Sequence, residues 1–413
     1  MSFYDDASLV LIPSAQKTSK VYSVKPTDGS GDLTFTRAST ATRVNSSGLI
    51  EAVASNVPRL DYLGSTCPRL LLEPQRTNLL TYSEQFNNAA YTKTNLTITA
   101  NTTASPDGTT NADTAATTSS VSELYNGSST ALTTATCSLF VKKSTHKYFG
   151  ISINGTNNFD SRYQGVFDLD LGTVFQENNS PTPLTNCSSK IESYGNGWYR
   201  ISVTATFATS ANGFVVFQQS NNVPSIPSDN LAWNNSSIGS TFIWGAQMEA
   251  GAYASSYIPT PGASSVTRVA DAASKTGISS LIGQTEGTLF LDFDFVSGVN
   301  ANYGIIYQAA FTTYIYINQQ TTGSITGQVQ GVGGFAFTVA KPNGRYKCAL
   351  AYKSGNSAFF VNGVQVGTTN TTTFTPTTID IFSLQVGTET NTNNQALLFK
   401  TRLTNAQLAE LTA

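Results

Sequence analysis

The residues most able to do chemistry in this chain are two pairs of aspartates. Asp292 and Asp294 lie two apart in LFLDFDF, and Asp168 and Asp170 do so in VFDLDLG. Residues two apart on a strand share a face, so either pair could set two carboxylates over a concave sheet, as a sandwich glycosidase does. Neither run extends its acidic face with a third acid, and polar-out alternation accounts for both pairs equally well. The same aspartates offer hard oxygen ligands for calcium, but no loop has the close acidic spacing such a site needs. His146 is the only histidine. That excludes His-pair metal sites and leaves a Ser-His-Asp triad one candidate base, in a basic turn with Lys142, Lys143 and Lys147. The basic cluster is expected to be a solvated hairpin, the alternative being contact with an acidic neighbour or an anionic glycan. Cys67, Cys137, Cys187 and Cys348 lack the spacing of zinc or thiol redox motifs and are expected to be buried as small apolar residues. Tyr303, Tyr307, Tyr314 and Tyr316 could stack on sugars, although at strand spacing such residues more often pack a core. No catalytic, cofactor-binding or metal-binding residue is assigned, no cofactor is expected, and the expectation is a protein that is not an enzyme.

The elements that must hold these residues are strands. Charged residues make up only 12% of the 413, and Thr, Ser, Asn and Gly fill the deficit, which suits exposed strand faces and tight turns. A net charge of -2 gives no concentrated basic surface, so nucleic acid is not an expected partner. No apolar run is long enough to cross a bilayer, and the start MSFYDDASLVLIPS lacks the basic residues of a signal peptide. Membrane insertion is therefore not expected, and synthesis in a cytoplasm is.

The pattern predicts an all-β fold of tandem jelly-roll sandwiches with an irregular N-terminal segment and one short C-terminal helix. Its expected parts are an N-terminal attachment segment at 1–85, a first sandwich at 86–258, a linker at 259–285 and a second sandwich at 286–413. Strand patterns at Cys137–Lys142, Tyr148–Ile153, Tyr163–Leu169, Trp198–Phe207, Gly213–Phe217 and Phe242–Trp244 build the first sandwich. Those at Thr288–Phe295, Gly304–Tyr307, Tyr314–Asn318, Ser324–Val329, Tyr346–Tyr352, Ala358–Val361, Val364–Val366 and Thr378–Val386 build the second. Asn362-Gly363 is a hairpin turn, and Thr404 with Gln407 forms a capping box for the closing helix. Pro259, Pro261 and Gly262 interrupt regular structure and mark the seam, so residues 280–413 are expected to fold alone. In the first 85 residues, Arg37, Arg43, Arg59 and Arg69 stand beside Glu51, Asp61 and Glu73, where charge-assisted bonds can hold irregular chain together. That segment is expected to draw its order from partners.

Several motifs carry a resemblance. FTRASTATRVNSSGLIE, VPRLDY, LLLEPQRTNLLTYSEQF, ASPDGTTNAD, GNGWYRISVTATF and FIWGAQMEAGAYASSYIPTPGASSVTRVAD resemble, in this order, a block found in virion proteins of tailed bacteriophages of the head-fibre, head-spike or tail-fibre type. It spans residues 20 to about 272. Residues 286–413 look like a concanavalin A-like, laminin G-like domain, with FFVNGVQVG similar to its hairpin and LFKTRLTNAQLAELT to its closing segment. The resemblance implies a structural component on the virion surface, associating with other capsid or tail proteins and with copies of itself. The alternative it leaves open is an adhesin that binds a host-surface glycan, and a second alternative is a polysaccharide depolymerase.

Overall fold

The computed structural model describes the chain except residues 1, 120–121, 156–161, 180–183, 223–236, 296–300, 321–322, 332, 376–377 and 385–389. It is all-β, with antiparallel sheets forming two jelly-roll sandwiches, and with two helices among the described residues, Phe3–Asp6 and Asn405–Thr412. The chain divides into a terminal unit (Met1–Thr40, Val53–Gln75, Val269–Ala413) and a central unit (Ala41–Ala52, Arg76–Arg268).

In the central unit a ten-stranded sheet is organised on Glu123–Lys143 and Trp198–Ser220, strands of 21 and 23 residues that pair with each other. Straight strands of that length would extend about 70 Å. Register shifts between Gly127 and Ala131 and between Leu132 and Thr134 interrupt the ladder instead, and such irregularities bend a strand. Past the bend, Trp198–Ser220 pairs at one end with Thr185–Ser193 and at the other with Tyr148–Gly155. One apolar cluster gathers Leu139, Val141, Ile201 and Val203 from one half and Phe149, Ile151, Ile153 and Phe217 from the other. Gly165 shows how closely the two layers approach, because a Cβ there would stand 2.8 Å from Val203.

In the terminal unit two sheets enclose a second apolar cluster. The eight-stranded sheet centres on Glu286–Phe295, flanked by Gly344–Lys353 and Asn391–Phe399. The nine-stranded sheet runs Gln16–Lys17, Lys20–Val21, Leu33–Thr36, Ala272–Lys275, Ile381–Leu384, Ala301–Tyr307, Tyr314–Gln320, Ser324–Gln330, Phe335–Ala340. A Cβ at Gly327 would stand 2.8 Å from Phe359 across the core. The helix Asn405–Thr412 carries the expected capping box, with Thr404 accepting from the Gln407 amide and the Gln407 side chain reaching back. Its Leu408 joins Phe290, Ala349 and Leu397 on the other face of the eight-stranded sheet. Asn362 and Gly363 take φ of 46° and 78°, as the hairpin from Val361 to Val364 requires.

The first 75 residues differ from the expectation of a separate segment at 1–85. Leu9–Leu11 pairs with the strand Asn391–Phe399, as does Arg69–Leu72, and Leu33–Thr36 pairs with Ala272–Lys275. Leu9, Leu11, Leu33, Phe35, Leu70 and Leu72 are all buried in the terminal unit's core. The segment buries its apolar residues after all, on strands far away in sequence. The expected boundaries shift accordingly: the division after the seam falls at Arg268, and the expected linker 259–285 contains two strands, Val266–Arg268 and Ala272–Lys275. Trp198–Phe207 and Gly213–Phe217 are parts of one strand. The end of the expected strand Thr378–Val386 lies outside the described residues.

A buried ion network fixes this closure. The Asp271 carboxylate accepts from Arg37 Nη1 at 3.0 Å, from Arg59 Nη2 and from the Glu73 amide at 2.8 Å, while Arg59 Nη1 bonds Glu73 Oε2 at 2.6 Å. Arg37 Nη2 also donates to the Ala54 carbonyl at 2.7 Å. The two arginines and Asp271 have fully buried side chains. Breaking one partner of such a network strands charge in the core, at a cost of about 3–5 kcal/mol. Asp271→Asn should lower the stability of the terminal unit by about that amount in denaturant unfolding, whereas an unchanged midpoint would deny the network its role. Residues 280–413 expressed alone should show no cooperative thermal transition by circular dichroism, and a sharp transition would contradict the closure by N-terminal strands.

Candidate functional site

The two aspartate pairs are engaged in ion pairs. Arg345 holds Asp292 with two bonds of 2.7 Å, and Asn394 adds a third at 3.2 Å. Asp294 accepts from Arg69 at 2.8 Å and from Thr392 at 2.9 Å. Asp168 accepts from the amides of Asp170 and Leu171 and pairs with Lys147 at 3.1 Å, closing a turn. Hydrogen bonds and the Lys147 charge hold the Asp168 carboxyl below its usual range despite burial. Among the described residues no cluster of three or more His, Cys, Asp or Glu is placed to hold a metal.

The basic turn keeps Lys143 exposed and Lys147 partly so. Lys143 pairs with Asp170 and Lys147 with Asp168, so its acidic neighbours lie in its own chain. His146 is buried, with Nε2 2.9 Å from the Ser237 carbonyl oxygen. Of the cysteines, Cys137 and Cys348 are buried, Cys187 is half-buried, and Cys67 is exposed, contrary to the expectation for it.

The aromatic residues separate by face. Tyr303 points inward, stacked on Phe293 with ring centres 3.8 Å apart and its hydroxyl bonded to Gln319. Tyr314 and Tyr316 alternate with Ile315 and Ile317, which are buried in the core, so both tyrosines lie on the outward face of the nine-stranded sheet. Their rings stack 5.4 Å apart at 16°. Tyr307 is the cross-strand neighbour of Tyr314, and Phe311 stacks on Tyr307 at 4.4 Å and 17°. Phe311 is half exposed, at 50%, and holds a φ of 52°. A bulky side chain in that region is uncommon, and a tight loop with the Phe311 amide bonded to the Gln308 carbonyl fixes it there.

Beside this strip, Gln328 stands opposite Tyr316 and Gln330 opposite Tyr314. Tyr316 donates to Gln328 Oε1, and Gln328 Nε2 donates to Gln330 Oε1 at 3.1 Å. No Asp, Glu, Lys or Arg occurs between Asp294 and Lys341, so the four strands from Ala301 to Ala340 carry no charge at all. Burial raises the Tyr307 and Tyr316 phenols, with Asp380 adding to the first and Tyr314 to the second, so these two stay neutral. The result is a platform of four aromatic rings bordered by amides, uncharged on its own strands, with Asp380 on the neighbouring segment beside Tyr307. Phe311 escaped the sequence reading because only its loop geometry turns it outward.

The chain matches no protein-family profile, and no curated protein matches it. Among solved structures it is similar to the CBM40 of the Ruminococcus gnavus IT-sialidase (12% identity over 33% of this chain and 91% of that one, TM-score 0.29). It is also similar to domains LG4–5 of the mouse laminin alpha1 chain (12% identity, 70% and 90%, TM-score 0.25) and to the CBM2 module of the Lactobacillus casei BL23 phage J-1 evolved Dit (12% identity, 33% and 71%, TM-score 0.24). At these scores the fold rests on the strand pairing itself.

Burial lowers the pKa of His146 in the folded state. A histidine depressed in this way contributes stability that is complete above its unfolded value and is lost as pH falls through that value toward the folded one. The central unit should therefore lose stability below about pH 6.5. That acid-side slope should flatten in His146→Gln, measured by denaturant melts at stepped pH, and an identical slope in the variant would assign the effect elsewhere.

Proposed function

We propose that this protein is a non-enzymatic component of a tailed-phage particle that binds a neutral host-surface glycan through the outward face of the nine-stranded sheet. The observation that carries the glycan reading is the uncharged platform of Tyr307, Phe311, Tyr314 and Tyr316 bordered by Gln328 and Gln330. A sugar ring has an apolar C–H face and equatorial hydroxyls. Aromatic rings take the first and side-chain amides the second, and neither contact needs charge. A nucleic acid or an anionic glycan would need cations that these strands do not supply. The placement on a particle is supported by the ordered motifs from Phe35 to Asp271, and with it come association with other virion proteins and with copies of this chain.

The non-enzymatic reading is supported by the pairing of Asp292 with Arg345 and of Asp294 with Arg69, which engages both carboxylates in structural contacts. A glycan array probed with the full chain should return neutral host-surface glycans. Tyr314→Ala with Tyr316→Ala should weaken the strongest of them at least tenfold, about 1.4 kcal/mol, the scale of one buried aromatic anchor. If the full chain binds no host glycan, the platform is not a receptor site, and the assembly role stands alone.

A further inference from the structure

A strand at the end of a sheet carries amide and carbonyl groups that no neighbour takes up. Folded chains blunt such edges with charge, proline, irregularity or shortness, because a bare edge pairs with another chain. The end strands Gln16–Lys17 and Val364–Gln365 have two residues each, and Arg59–Asp61 and Thr173–Asn179 carry charged side chains. Leu96–Thr103 breaks its register between Thr99 and Thr103. The remaining end of the three large sheets is Phe335–Ala340, in the nine-stranded sheet, a strand of six residues with neither charge nor proline. Phe335, Phe337 and Val339 pack on the core, while Ala336, Thr338 and Ala340 are exposed. The Lys341 amide donates to the Gly323 carbonyl at 3.0 Å, one step beyond the register that sets Ala340 opposite Ser324. Bonded and non-bonded pairs alternate along an antiparallel ladder. Phe335, Phe337 and Val339 therefore bond to Ser324–Gln330, and Ala336, Thr338 and Ala340 turn both N–H and C=O to the open side. Among the described residues no strand pairs on that side.

We propose that this edge is the contact between two copies of the chain, paired antiparallel about a two-fold axis at Thr338. That axis sets Thr338 opposite Thr338 of the second copy, and Ala336 opposite Ala340 of the second copy. Each such pair exchanges two backbone hydrogen bonds, so all three open residues of both strands are satisfied. An axis at Phe337 would instead leave Ala340 without a partner inside the strand. The self-match is what selects a second copy as the occupant: the outer row is Ala, Thr, Ala, small enough to lie against itself, and the strand offers nothing to a charged partner. Lys341, the nearest charge, falls opposite Phe335 of the second copy and far from its own counterpart. Association between copies is part of the function proposed above, on which this contact rests. Pairing here also orders the aromatic faces. Ala336 shares a cross-strand row with Gln328 and Tyr316, and directly opposed residues share a face. Both aromatic platforms therefore lie on one face of a joined sheet, with their Tyr316 positions about 25–30 Å apart, and a repetitive glycan can engage the two together.

The test uses the full chain with Cys67→Ser, which removes the exposed native thiol. Sedimentation equilibrium over a concentration series should show a reversible dimer. Thr338→Pro should weaken that dimer by about tenfold or more, while sparing the chain's own ladder, because the Thr338 N–H points away from it. If that variant fails to fold, Thr338→Lys decides, since two lysines directly opposed across the axis repel. Cross-linking reads the register. Thr338→Cys should form a disulfide with its counterpart under mild oxidation, because a bonded pair sets the Cα atoms about 5.5 Å apart, within disulfide reach. Ala336→Cys alone should not, its counterpart being displaced four residues, about 13 Å, along the strand; mixed with Ala340→Cys it should. An oligomer that the substitution at Thr338 leaves unchanged, or one in which Thr338→Cys does not cross-link, overturns this contact and leaves association between copies to another surface. A monomer at every concentration overturns both, and the glycan array measures the sugar site independently of either result.

Discussion

The terminal unit depends on the Asp271 carboxylate. The chain enters or leaves that unit at four places, next to Thr40, Val53, Gln75 and Val269, and the network reaches each of them. Arg37 lies just before the first, the Ala54 carbonyl just after the second, Glu73 just before the third, and Asp271 just after the fourth. Charges so deeply buried are tolerated only when each finds its counterpart. Burial alone would lower the basicity of Arg59, but the adjacent Asp271 and Glu73 raise it, and so it stays ionised. The three segments of the unit are thereby held in one arrangement. From that arrangement Leu33–Thr36 and Ala272–Lys275 extend the nine-stranded sheet, and Arg69–Leu72 extends the eight-stranded one.

Charge is also spread unevenly over the terminal unit. Ion pairs of the terminal unit join early segments to later ones: Arg69 with Asp294, and Arg37 and Arg59 with Asp271. The strands from Ala301 to Ala340 sit toward the far side of the nine-stranded sheet and carry none. The nine-stranded sheet thus has Arg37 and Asp271 next to its strands Leu33–Thr36 and Ala272–Lys275, and uncharged strands with an aromatic face toward its other end. In the central unit, Ser152, Asn154 and Gln164 keep polar atoms buried without a hydrogen-bond partner.

Local signals in the sequence were accurate wherever the physics was local. The Asn362-Gly363 turn, the Thr404–Gln407 capping box and the alternation of Tyr314 to Asn318 need only neighbouring residues, and each is in place. The arginines of the first 85 residues were legible as structural, but their hub was not, because Asp271 lies 234 residues from Arg37. The strands at Leu96–Thr103 and Thr185–Ser193 went unseen because they are polar and mostly solvent-facing, with little apolar alternation to betray them. The half-exposed Phe311 and the buried, unpartnered Asn154 have no sequence signature. One depends on a backbone angle, the other on the strands paired to either side of it.

The proposed ligand surface is the outward aromatic face of the strands from Ala301 to Ala340. Amide hydrogen exchange of the full chain, with and without a saturating neutral glycan from the array, tests it most directly. The account predicts new protection confined in the terminal unit to residues 303–330, centred on Tyr314 to Tyr316 and the Gln308–Thr313 loop. Protection on the helix Asn405–Thr412 or on the eight-stranded sheet, with 303–330 unchanged, would contradict it.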